Sequence, residues 1–374
     1  MRFGMLSRNG RGHPVAAESW DEDLWDLVTA EKLGFEEAWI TEHLRGSSGD
    51  HLAAADLFIV KAAAMTKHMR FGPGIRPIPF HHPINVATDA AVTDHLTGGR
   101  YMAGFGGAGD MGDYFGQYGL DWQKSDKRAM MHEAIDLILK CWNEPEPFDF
   151  HGEFWHGERI RITTKPLQKP LPVGLAVSET ASSAELAGRL GFLPLFAQYS
   201  GAEQLGELAD AFLNAGRAAS IKPSRNEMRM IRMVHVADSV EKAKQEVIAD
   251  GFLNYIHIQQ TALHARQVER QLGRKIDDVT FEDLVDAGVY LMGDPDTVYQ
   301  GIKDLYDRVG GFGVLLLHVG RGNGNRRVRR RSWRRFMEEV APRLAGLDPD
   351  AEDRAQVPKQ LAAAADGVAV HPRA

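Results

Sequence analysis

The sequence predicts an α/β fold, a (β/α)₈ TIM barrel with insertions, from the alternation of two patterns. Short apolar runs alternate with amphipathic helical patterns over most of the 374 residues. Strands that are apolar on both faces and separated by helices are typical of a parallel sheet covered by helices. Because about eight strand–helix units can be counted, a closed barrel is favoured over an open doubly wound sheet.

The first half of the chain contributes four of these units. Apolar runs predict strands at 2–6, 38–41, 69–75 and 101–106, and helical patterns follow at 21–32, 54–65, 84–95 and 125–142. Leu24, Leu27 and Val28 share one face of the first helix, which Gly34 is expected to end. Ser125 is expected to cap the fourth helix.

The second half repeats the same order of elements. Strands are predicted at 173–177, 192–197, 229–236 and 313–317, and helices at 182–190, 202–216, 240–250, 295–309 and 333–344. Pro295 is placed in the first turn of a helix with Val298, Ile302, Leu305 and Val309 on one stripe. Residues 1–345 are therefore expected to form a single barrel domain.

Three segments depart from the alternation. Residues 145–172 are rich in Pro and aromatic residues and predict an inserted loop or hairpin. Residues 255–293 are polar, helical in character and longer than a normal connection, which makes them a candidate lid. Residues 346–374 are rich in Ala, Asp and Pro without periodicity and predict a disordered C-terminal tail.

Composition excludes several classes of protein. The hydrophobic share of 44% and the charged share of 25% are those of a globular chain. A single cysteine excludes a disulfide framework and a cysteine-based metal cluster. The net charge of −7 argues against a polycation that binds nucleic acid. With neither a signal-peptide pattern nor an apolar run of about 20 residues, a cytoplasmic protein without a membrane segment is expected.

The glycines at 104, 106 and 109 match the GxGxxG pattern of dinucleotide sites. That fingerprint needs a helix directly after it, and residues 110–121 contain three more glycines that disfavour a helix. We therefore favour a glycine-rich loop beside a flat ligand at the barrel mouth, where missing side chains let a ring approach the backbone. A Rossmann-type site is the less favoured alternative.

His43 ends the second predicted strand, within the segment Trp39–His43. Side chains at the carboxyl ends of barrel strands converge on the active site, so His43 is a candidate catalytic proton donor or acceptor. A structural, hydrogen-bonded histidine is the open alternative. The other histidines show no spacing typical of metal ligands, and no metal site is expected.

The segment Ser178-Glu179-Thr180-Ala181-Ser182-Ser183 follows the fifth strand and opens a helix. Hydroxyls together with the N–H groups of a helix N-terminus suit a phosphate. Simple N-capping is the alternative, although it would use one hydroxyl. Arg128, early in the helix after the fourth strand, is a candidate counter-charge.

Residues 321–335 contain eight arginines. Such a run in isolation suggests nucleic-acid binding. The chain is net acidic, and only Trp333 interleaves the arginines as an aromatic residue. A solvated turn, or a contact to a phosphate or a subunit, is the favoured interpretation, and no nucleic-acid partner is expected.

Several segments in the same order resemble the bacterial luciferase-like flavin-dependent monooxygenases, and most closely the limonene monooxygenase-like group. The resemblance covers about residues 1–345. It rests on EEAWITEH at 36–43, RFGPGIRPIPFHHP at 70–83, DHLTGGRYMAG at 94–104, GDPDTV at 293–298, GGFGVLLL at 310–317 and the closing segment 333–344.

The resemblance implies a luciferase-like barrel that binds reduced FMN at its carboxyl mouth. By position, His43 corresponds to the active-site histidine of the family, and Gly74–Ile75 to a non-prolyl cis peptide under the flavin ring. The implied cofactor-binding residues are Gly74, Ile75, Gly104, Gly106, Arg128, Glu179, Thr180, Ser182 and Ser183. The sequence departs from luciferase itself at Gly106 and Gly107, where luciferase has a cysteine and an arginine, which argues against light emission.

The activity implied is a two-component monooxygenase. Reduced FMN, supplied by a separate NAD(P)H:flavin reductase, would react with O₂ to give a flavin hydroperoxide that transfers one oxygen atom to a small apolar organic substrate. A homodimer is also implied. The expected pocket residues are Phe80, Phe105, Phe115, Tyr199 and Met292.

Two other functions remain open from the sequence. One is a deazaflavin-dependent oxidoreductase of the same superfamily, which moves hydride without oxygen. The other is a non-catalytic flavin-binding subunit, against which His43 and the hydroxyls after the fifth strand argue.

Overall fold

A ring of parallel strands forms the centre of the computed structural model, which describes residues 1–7, 15–43, 52–107, 112–121, 123, 126–249, 262–319 and 325–350. The strands of these residues are β1 (Arg2–Ser7), β2 (Glu37–Ile40), β3 (Arg70–Pro73), β4 (Arg76–Pro77), β5 (Ala103–Gly106), β6 (Phe148–His151), β7 (His156–Ile160), β8 (Val173–Val177), β9 (Leu193–Phe196), β10 (Arg229–Val236), β11 (Tyr290–Gly293) and β12 (Val314–Val319).

Helices connect the strands and cover the outside of the ring. In chain order they are α1 (Ala16–Leu33), α2 (Ala55–Met65), α3 (Pro83–Leu96), α4 (Gly112–Gln117), α5 (Lys127–Asn143), α6 (Ala181–Leu190), α7 (Ala202–Ala218), α8 (Val240–Ala249), α9 (Ala262–Leu272), α10 (Phe281–Asp286), α11 (Pro295–Val309), α12 (Arg326–Arg335) and α13 (Ala341–Leu344). Short 3₁₀ turns lie at Ile78–Phe80, Arg225–Glu227 and Ile276–Asp278, and a π turn lies at Phe336–Val340. Among the helices of the described residues, none combines the length and apolar character that crossing a bilayer needs.

The ring has eight strand positions, in the order β1, β2, β3 with β4, β5, β8, β9, β10 and β12, and every pairing in it is parallel. Strands β3 and β4 share one position and are interrupted at Gly74–Ile75. The ring closes where the Phe71 N–H donates to the Arg100 carbonyl (2.8 Å) and the Met102 N–H donates to the Phe71 carbonyl (2.7 Å). The predicted (β/α)₈ TIM barrel is confirmed.

The interior of the barrel is built around the fully buried ring of Trp39. Alternate residues of a strand face opposite sides of a sheet, and the positions that face Trp39 are glycines. A Cβ at Gly72, Gly104 or Gly174 would lie 2.8, 3.1 or 2.5 Å from this ring, so the indole occupies the space of three missing side chains. The inner apolar cluster is completed by Leu6, Met102, Leu195, Ile231, Val314 and Leu316.

Most predicted boundaries agree with the structure, and three helix starts differ. Helix α1 begins at Ala16 rather than at residue 21. Strands 173–177 and 229–236 and helix 295–309 are confirmed at both ends. Ser125 lies outside the described residues, and α5 is instead capped by Asp126, whose carboxylate accepts the N–H groups of Arg128 and Ala129. The last helical segment begins at Arg326 rather than at 333, because Asn325 caps it.

The inserted segment 145–172 contains the hairpin that the sequence predicts. Strands β6 and β7 pair antiparallel. The Glu133 carboxylate on α5 accepts the N–H groups of Glu153, Phe154 and Trp155 at 2.7–3.2 Å. These bonds fasten the hairpin to the outside of the barrel.

The candidate lid is only in part a helical segment. Residues 255–261 lie outside the described residues, and α9 and α10 follow as expected. Tyr290–Gly293 forms β11 and pairs with the carboxyl half of β10, so the prediction is wrong for these four residues. This short apolar strand directly follows a long polar segment, and the sequence-based prediction therefore included it in that segment.

Two further expectations need correction. Residues 110–121 include the helix α4, because the buried ring of Phe115 anchors a segment of low helix propensity. Residues 346–350 are ordered, against the expectation of a disordered tail from 346, because the Asp350 carboxylate accepts the N–H of Arg225 (2.8 Å) and the amide of Asn226 (2.6 Å). Residues 351–374 lie outside the described residues.

Candidate active site

Four consecutive positions of the ring bring the candidate site residues to one end of the barrel. His43 follows β2, Gly74–Ile75 interrupts the third position, Gly106 ends β5, and Thr180 follows β8. All four lie at carboxyl ends of parallel strands, which is the end that carries the active site in TIM-barrel enzymes. The sequence therefore placed these residues on one continuous arc.

His43 is half-buried and held by its backbone. Its N–H donates to the Leu52 carbonyl at 2.8 Å, which ties the end of β2 to the segment before α2. The preceding residue, Glu42, is buried, and its side chain points into an ion-pair cluster. The His43 N–H and the Glu42 side chain therefore anchor the chain at and before His43, which favours a fixed orientation of this residue.

The peptide bond between Gly74 and Ile75 is cis, as the resemblance implied. The Gly74 N–H donates to the Ile40 carbonyl at 2.7 Å, so this segment lies directly beside the end of β2. A Cβ at Gly106 would lie 2.5 Å from the Ile75 Cδ1 and 3.5 Å from the Ala176 Cβ. Small residues thus surround Ile75 at the barrel mouth.

The hydroxyl group cluster lies at the start of α6. Thr180 occupies the N-cap position, but within the described residues its hydroxyl makes no capping hydrogen bond, and the first turn carries no acidic side chain. The Thr180 Oγ1 instead lies 3.2 Å from the Ser182 Oγ. Simple N-capping by Thr180 is therefore not what this segment does, and the N-terminus of α6 suits an anion.

Two predicted cofactor residues lie at the edge of this arrangement. Arg128 is exposed on the first turn of α5, the helix that precedes the β6–β7 hairpin. Glu179 faces α9, where its carboxylate lies 3.9 Å from the Arg266 guanidinium. Glu179 therefore contacts the candidate lid.

Two predicted pocket residues lie together. The rings of Phe80 and Phe115 meet edge to face with centroids 5.0 Å apart, and the Tyr118 ring lies 5.1 Å from Phe80. Phe80 follows β4, and Phe115 belongs to α4, which follows β5. An aromatic wall therefore stands above two strands of the arc.

The other three predicted pocket residues lie elsewhere. Phe105 faces outwards and stacks on Trp142 of α5 (6.3 Å), because Gly104 and Gly106 occupy the inward positions of β5. The prediction of Phe105 as a pocket residue is therefore wrong. Tyr199 and Met292 pack in a second apolar cluster beneath α9 and α10, together with Met233, so they do not join the aromatic wall.

A buried ion-pair cluster beside His43 was not predicted from the sequence. The Arg76 guanidinium lies 2.9 Å from Asp56 and 3.4 Å from Glu42, and the Tyr101 hydroxyl donates to Asp56 at 2.7 Å. Burial raises the pKa of Glu42, but the hydrogen bond to His81 and the charge of Arg76 outweigh it and leave that pKa below its ordinary value. Burial raises the pKa of Asp56, and Arg76 offsets this only in part.

A second arginine organises the loops on the far side of the mouth. The fully buried Arg232 guanidinium donates to the carbonyls of Ala197, Gln198, Ser200 and Ile231 at 2.8–3.4 Å. Burial lowers the pKa of Arg232 to about 10. Arg232 therefore fixes the loop after β9 through carbonyl oxygens.

A cavity of about 310 Å³ lies outside the predicted site, between the start of α7, α9 and Arg308. Gln267 of α9 lines it and also donates to the Ser178 carbonyl (3.2 Å) and to the Ser200 hydroxyl (3.3 Å). The candidate lid is therefore tied to the loops that follow β8 and β9.

The arginine run is largely paired within the chain. Residues 321–324 lie outside the described residues, and the rest forms α12. Arg329 and Arg330 bind Asp26 of α1 (2.7 and 2.8 Å), Arg331 binds Glu246, and Arg335 binds Asp238. These pairs dock α12 on neighbouring elements of the same chain.

Comparison with known proteins defines the family. The sequence profile of the luciferase-like monooxygenases matches residues 1–311. Together with the closed barrel and the arc of residues at its carboxyl end, this match assigns the chain to that family. The chain belongs to the luciferase-like, flavin-dependent monooxygenases, as the resemblance of its motifs indicated.

Relatives of known activity cover almost the whole chain. It is 31% identical over 349 residues to 4-hydroxyprotoasukamycin monooxygenase of Streptomyces nodosus subsp. asukaensis, with 89% of this chain and 90% of that protein covered. It is 27% identical to limonene 1,2-monooxygenase of Rhodococcus erythropolis, with 87% and 81% covered.

A solved structure shares the fold. It is the oxygenating constituent of 3,6-diketocamphane monooxygenase of Pseudomonas putida, a type II Baeyer–Villiger monooxygenase in complex with FMN. Its TM-score is 0.80 at 24% identity, with 91% of this chain and 98% of that chain covered.

The residues of this chain fit an FMN molecule. The N-terminus of α6 offers N–H groups and hydroxyls that suit a phosphate, and it carries no acid in its first turn. The small size of Gly106 and Ala176 leaves room for the Ile75 side chain, which gives the mouth an apolar surface that suits a flat ring. Both features lie on the adjacent positions β5 and β8.

Proposed function

We propose that this protein is the oxygenase component of a two-component system, which uses reduced FMN and O₂ to insert one oxygen atom into a small apolar organic substrate. The observation that carries the proposal is the pairing, on adjacent strands, of a helix N-terminus rich in hydroxyls with a mouth of small residues around Ile75. His43 lies at the same end of the barrel.

In this proposal each residue of the arc has one task. Thr180, Ser182 and Ser183 hold the phosphate group of FMN through hydroxyl and N–H donors. Gly74, Ile75 and Gly106 lie against the ring system. Bound reduced FMN supplies the electrons that activate O₂. His43 donates or accepts the proton that the oxygen transfer requires.

The aromatic wall of Phe80, Phe115 and Tyr118 supports an apolar substrate. The rings of Phe115 and Tyr118 lie 5.0 and 5.1 Å from that of Phe80, above the third and fourth positions of the barrel. Gln267 ties helix α9 to the loops after β8 and β9, and in this proposal α9 shields bound FMN from water on that side. The pocket therefore favours a small apolar molecule over a charged one.

A separate reductase follows from the same proposal. The similar Pseudomonas structure is described as the oxygenating constituent of its enzyme, which implies a second constituent there. We expect product only when an NAD(P)H:flavin reductase is added to this protein with FMN, NADH and O₂. Product formation with NADH and FMN but without a reductase would contradict the two-component scheme.

Labelled oxygen tests the reaction itself. With ¹⁸O₂ and a panel of small cyclic ketones and terpenes, we expect product that carries one ¹⁸O atom. A deazaflavin-dependent enzyme would instead convert its substrate without oxygen, using a reduced deazaflavin. A non-catalytic flavin-binding subunit would bind FMN and convert no substrate on the panel.

We also propose a homodimer. Trp25, Leu57 and Leu96 are 51%, 77% and 63% exposed on α1, α2 and α3, three helices that pack side by side. Large apolar side chains exposed on neighbouring helices are typical of an interface. Sedimentation should give a dimer for the wild type and a monomer for Leu57→Asp; two monomers would contradict the proposal.

A further inference from the structure

The buried cluster of Arg76, Glu42, Asp56, Tyr101 and His81 stands between two parts of the proposed site. Glu42 directly precedes His43, and Arg76 directly follows Ile75. The guanidinium of Arg76 is 7% exposed and the side chain of Glu42 is fully buried. The cluster is therefore one residue away from the candidate catalytic histidine and one residue away from the cis peptide.

Glu42 is held from three sides. Its Oε2 accepts the Ala55 N–H at 3.1 Å and lies 3.4 Å from the Arg76 Nη2, and its Oε1 lies 2.9 Å from the His81 Nε2. These partners belong to α2, β4 and the turn after β4. Movement of the end of β2 would break all three contacts.

Arg76 holds two carboxylates at once. Its Nη2 lies 2.9 Å from the Asp56 Oδ2 and 3.4 Å from the Glu42 Oε2, while the Tyr101 hydroxyl fixes the other Asp56 oxygen at 2.7 Å. A guanidinium can bridge two acids because its donors point in a rigid fork, whereas a lysine ammonium is a point charge. Breaking such a buried pair leaves an uncompensated charge, so the geometry is strongly fixed.

We propose that Arg76 is a positioning residue that sets the distance between His43 and the Gly74–Ile75 segment. It does so by clamping Glu42, next to His43, to the strand that begins directly after Ile75. The Gly74 N–H, which donates to the Ile40 carbonyl at 2.7 Å, supports the same register from the other side. The inference rests on the proposed function, because it concerns the surfaces that would face FMN.

The chain contains a matched control at the opposite end of the barrel. Arg229 is also buried and also holds two carboxylates, Glu37 at 3.1 Å and Glu227 at 3.0 Å. Arg229 is the first residue of β10, so it lies at the amino end of the strands, opposite to the candidate site residues. Arg229→Lys should therefore remove a buried guanidinium that contacts two carboxylates, without changing the residues proposed to contact FMN.

The experiment compares Arg76→Lys and Arg229→Lys in the full chain, with FMN as the probe. Flavin fluorescence gives the dissociation constant of FMN, visible absorbance gives the environment of the ring, and urea unfolding gives stability. We expect both variants to lose stability. Only Arg76→Lys should raise the dissociation constant of FMN by about ten-fold or more and change the spectrum of bound FMN. An Arg76→Lys variant with wild-type affinity and spectrum would overturn the inference, and so would an equal loss in Arg229→Lys.

A milder variant covers the case in which Arg76→Lys fails to fold. Tyr101→Phe keeps the packing and removes the hydrogen bond to Asp56. We expect this variant to fold and to bind FMN more weakly than the wild type. An unchanged FMN affinity would count against the positioning role of Arg76. Failure of the wild type to bind FMN would instead contradict the proposed function, so the two failures are distinguishable.

Discussion

The two ends of the barrel each bury an arginine between carboxylates, and the two clusters differ in what surrounds them. At the amino end, Arg229 binds Glu37 through two nitrogens (3.1 and 3.2 Å), and the Trp39 indole N–H donates to the same carboxylate at 2.9 Å. At the carboxyl end, Arg76, which directly follows Ile75, lies between Asp56 and Glu42, the residue before His43.

Burial and charge pairing alone therefore do not indicate function. The amino-end cluster closes the base of the barrel beneath Trp39, and its neighbours are core residues. The carboxyl-end cluster has the same chemistry but supports the segments that form the mouth. In a TIM barrel the carboxyl end carries the chemistry and the amino end carries stability.

The largest expected effect is that of His43→Ala at the carboxyl end. Loss of a positioned proton donor or acceptor lowers rates by about 10²–10⁴-fold. We expect the rate of product formation to fall in that range while the melting temperature stays unchanged. His95→Ala is the control, since His95 is exposed on α3 and its Nε2 lies 3.0 Å from the Lys165 carbonyl oxygen. Equal rates in the two variants would remove His43 from the mechanism.

The next prediction compares alanine substitutions at two glycines of β5, Gly104 and Gly106. A Cβ at Gly104 would lie 1.8 Å from the Pro73 carbonyl oxygen, which cannot move, whereas at Gly106 the nearest atom is the flexible end of Ile75. We expect Gly104→Ala to lose about 3 kcal/mol or more of folding free energy, at the upper end of overpacking costs. Gly106→Ala should fold and bind FMN more weakly; urea unfolding and fluorescence titration measure both.

That distinction fails if Gly104→Ala is as stable as the wild type. It also fails if Gly106→Ala folds and binds FMN with wild-type affinity, because Ile75 would then not face the ring.

A smaller effect is expected from two phenylalanine substitutions, one on the outside of the barrel and one in the aromatic wall. Phe105→Leu, on the face towards α5, should cost about 1 kcal/mol of stability and leave the KM for substrate unchanged. Phe80→Leu, in the aromatic wall, should raise KM several-fold with a smaller loss of stability. Steady-state kinetics and thermal unfolding of the two variants measure this, and a change of KM in Phe105→Leu alone would reverse the assignment.

The smallest effect is the acid sensitivity of the carboxyl-end cluster. The pKa of Glu42 is lower in the folded protein than its ordinary value of 4.5, so its stabilising contribution is complete above that pH. The contribution is lost as the pH falls through the folded pKa. We expect the difference in unfolding free energy between the wild type and Glu42→Gln to shrink on acidification below pH 4.5; a constant difference would contradict this.

The sequence predicted the barrel because its signals are local. Apolar runs such as 173–177 and 229–236 carry their own strand pattern, and Pro295 marks a helix start. Strand β11 and helix α4 were missed because tertiary packing, of Tyr290 and of Phe115, decides them against the local composition.

The only site residues that could be predicted from the sequence are those that come after predicted strands. His43 and Thr180 stand directly after predicted strands, so their convergence follows from topology. Arg76 was missed because its partner Glu42 lies 34 residues away, and a pattern along the chain does not show such a pair. The orientation of Phe105 was available from its two flanking glycines, since alternation sends it to the opposite face.

A crystal structure of the protein with FMN is the sharpest test of the proposed site. We expect the phosphate at the N-terminus of α6, within hydrogen-bond distance of Thr180, Ser182 or Ser183, and the ring against Ile75 with His43 beside it. A phosphate bound in the cavity beside Arg270 and Arg308, or a ring outside the carboxyl end of the barrel, would contradict it.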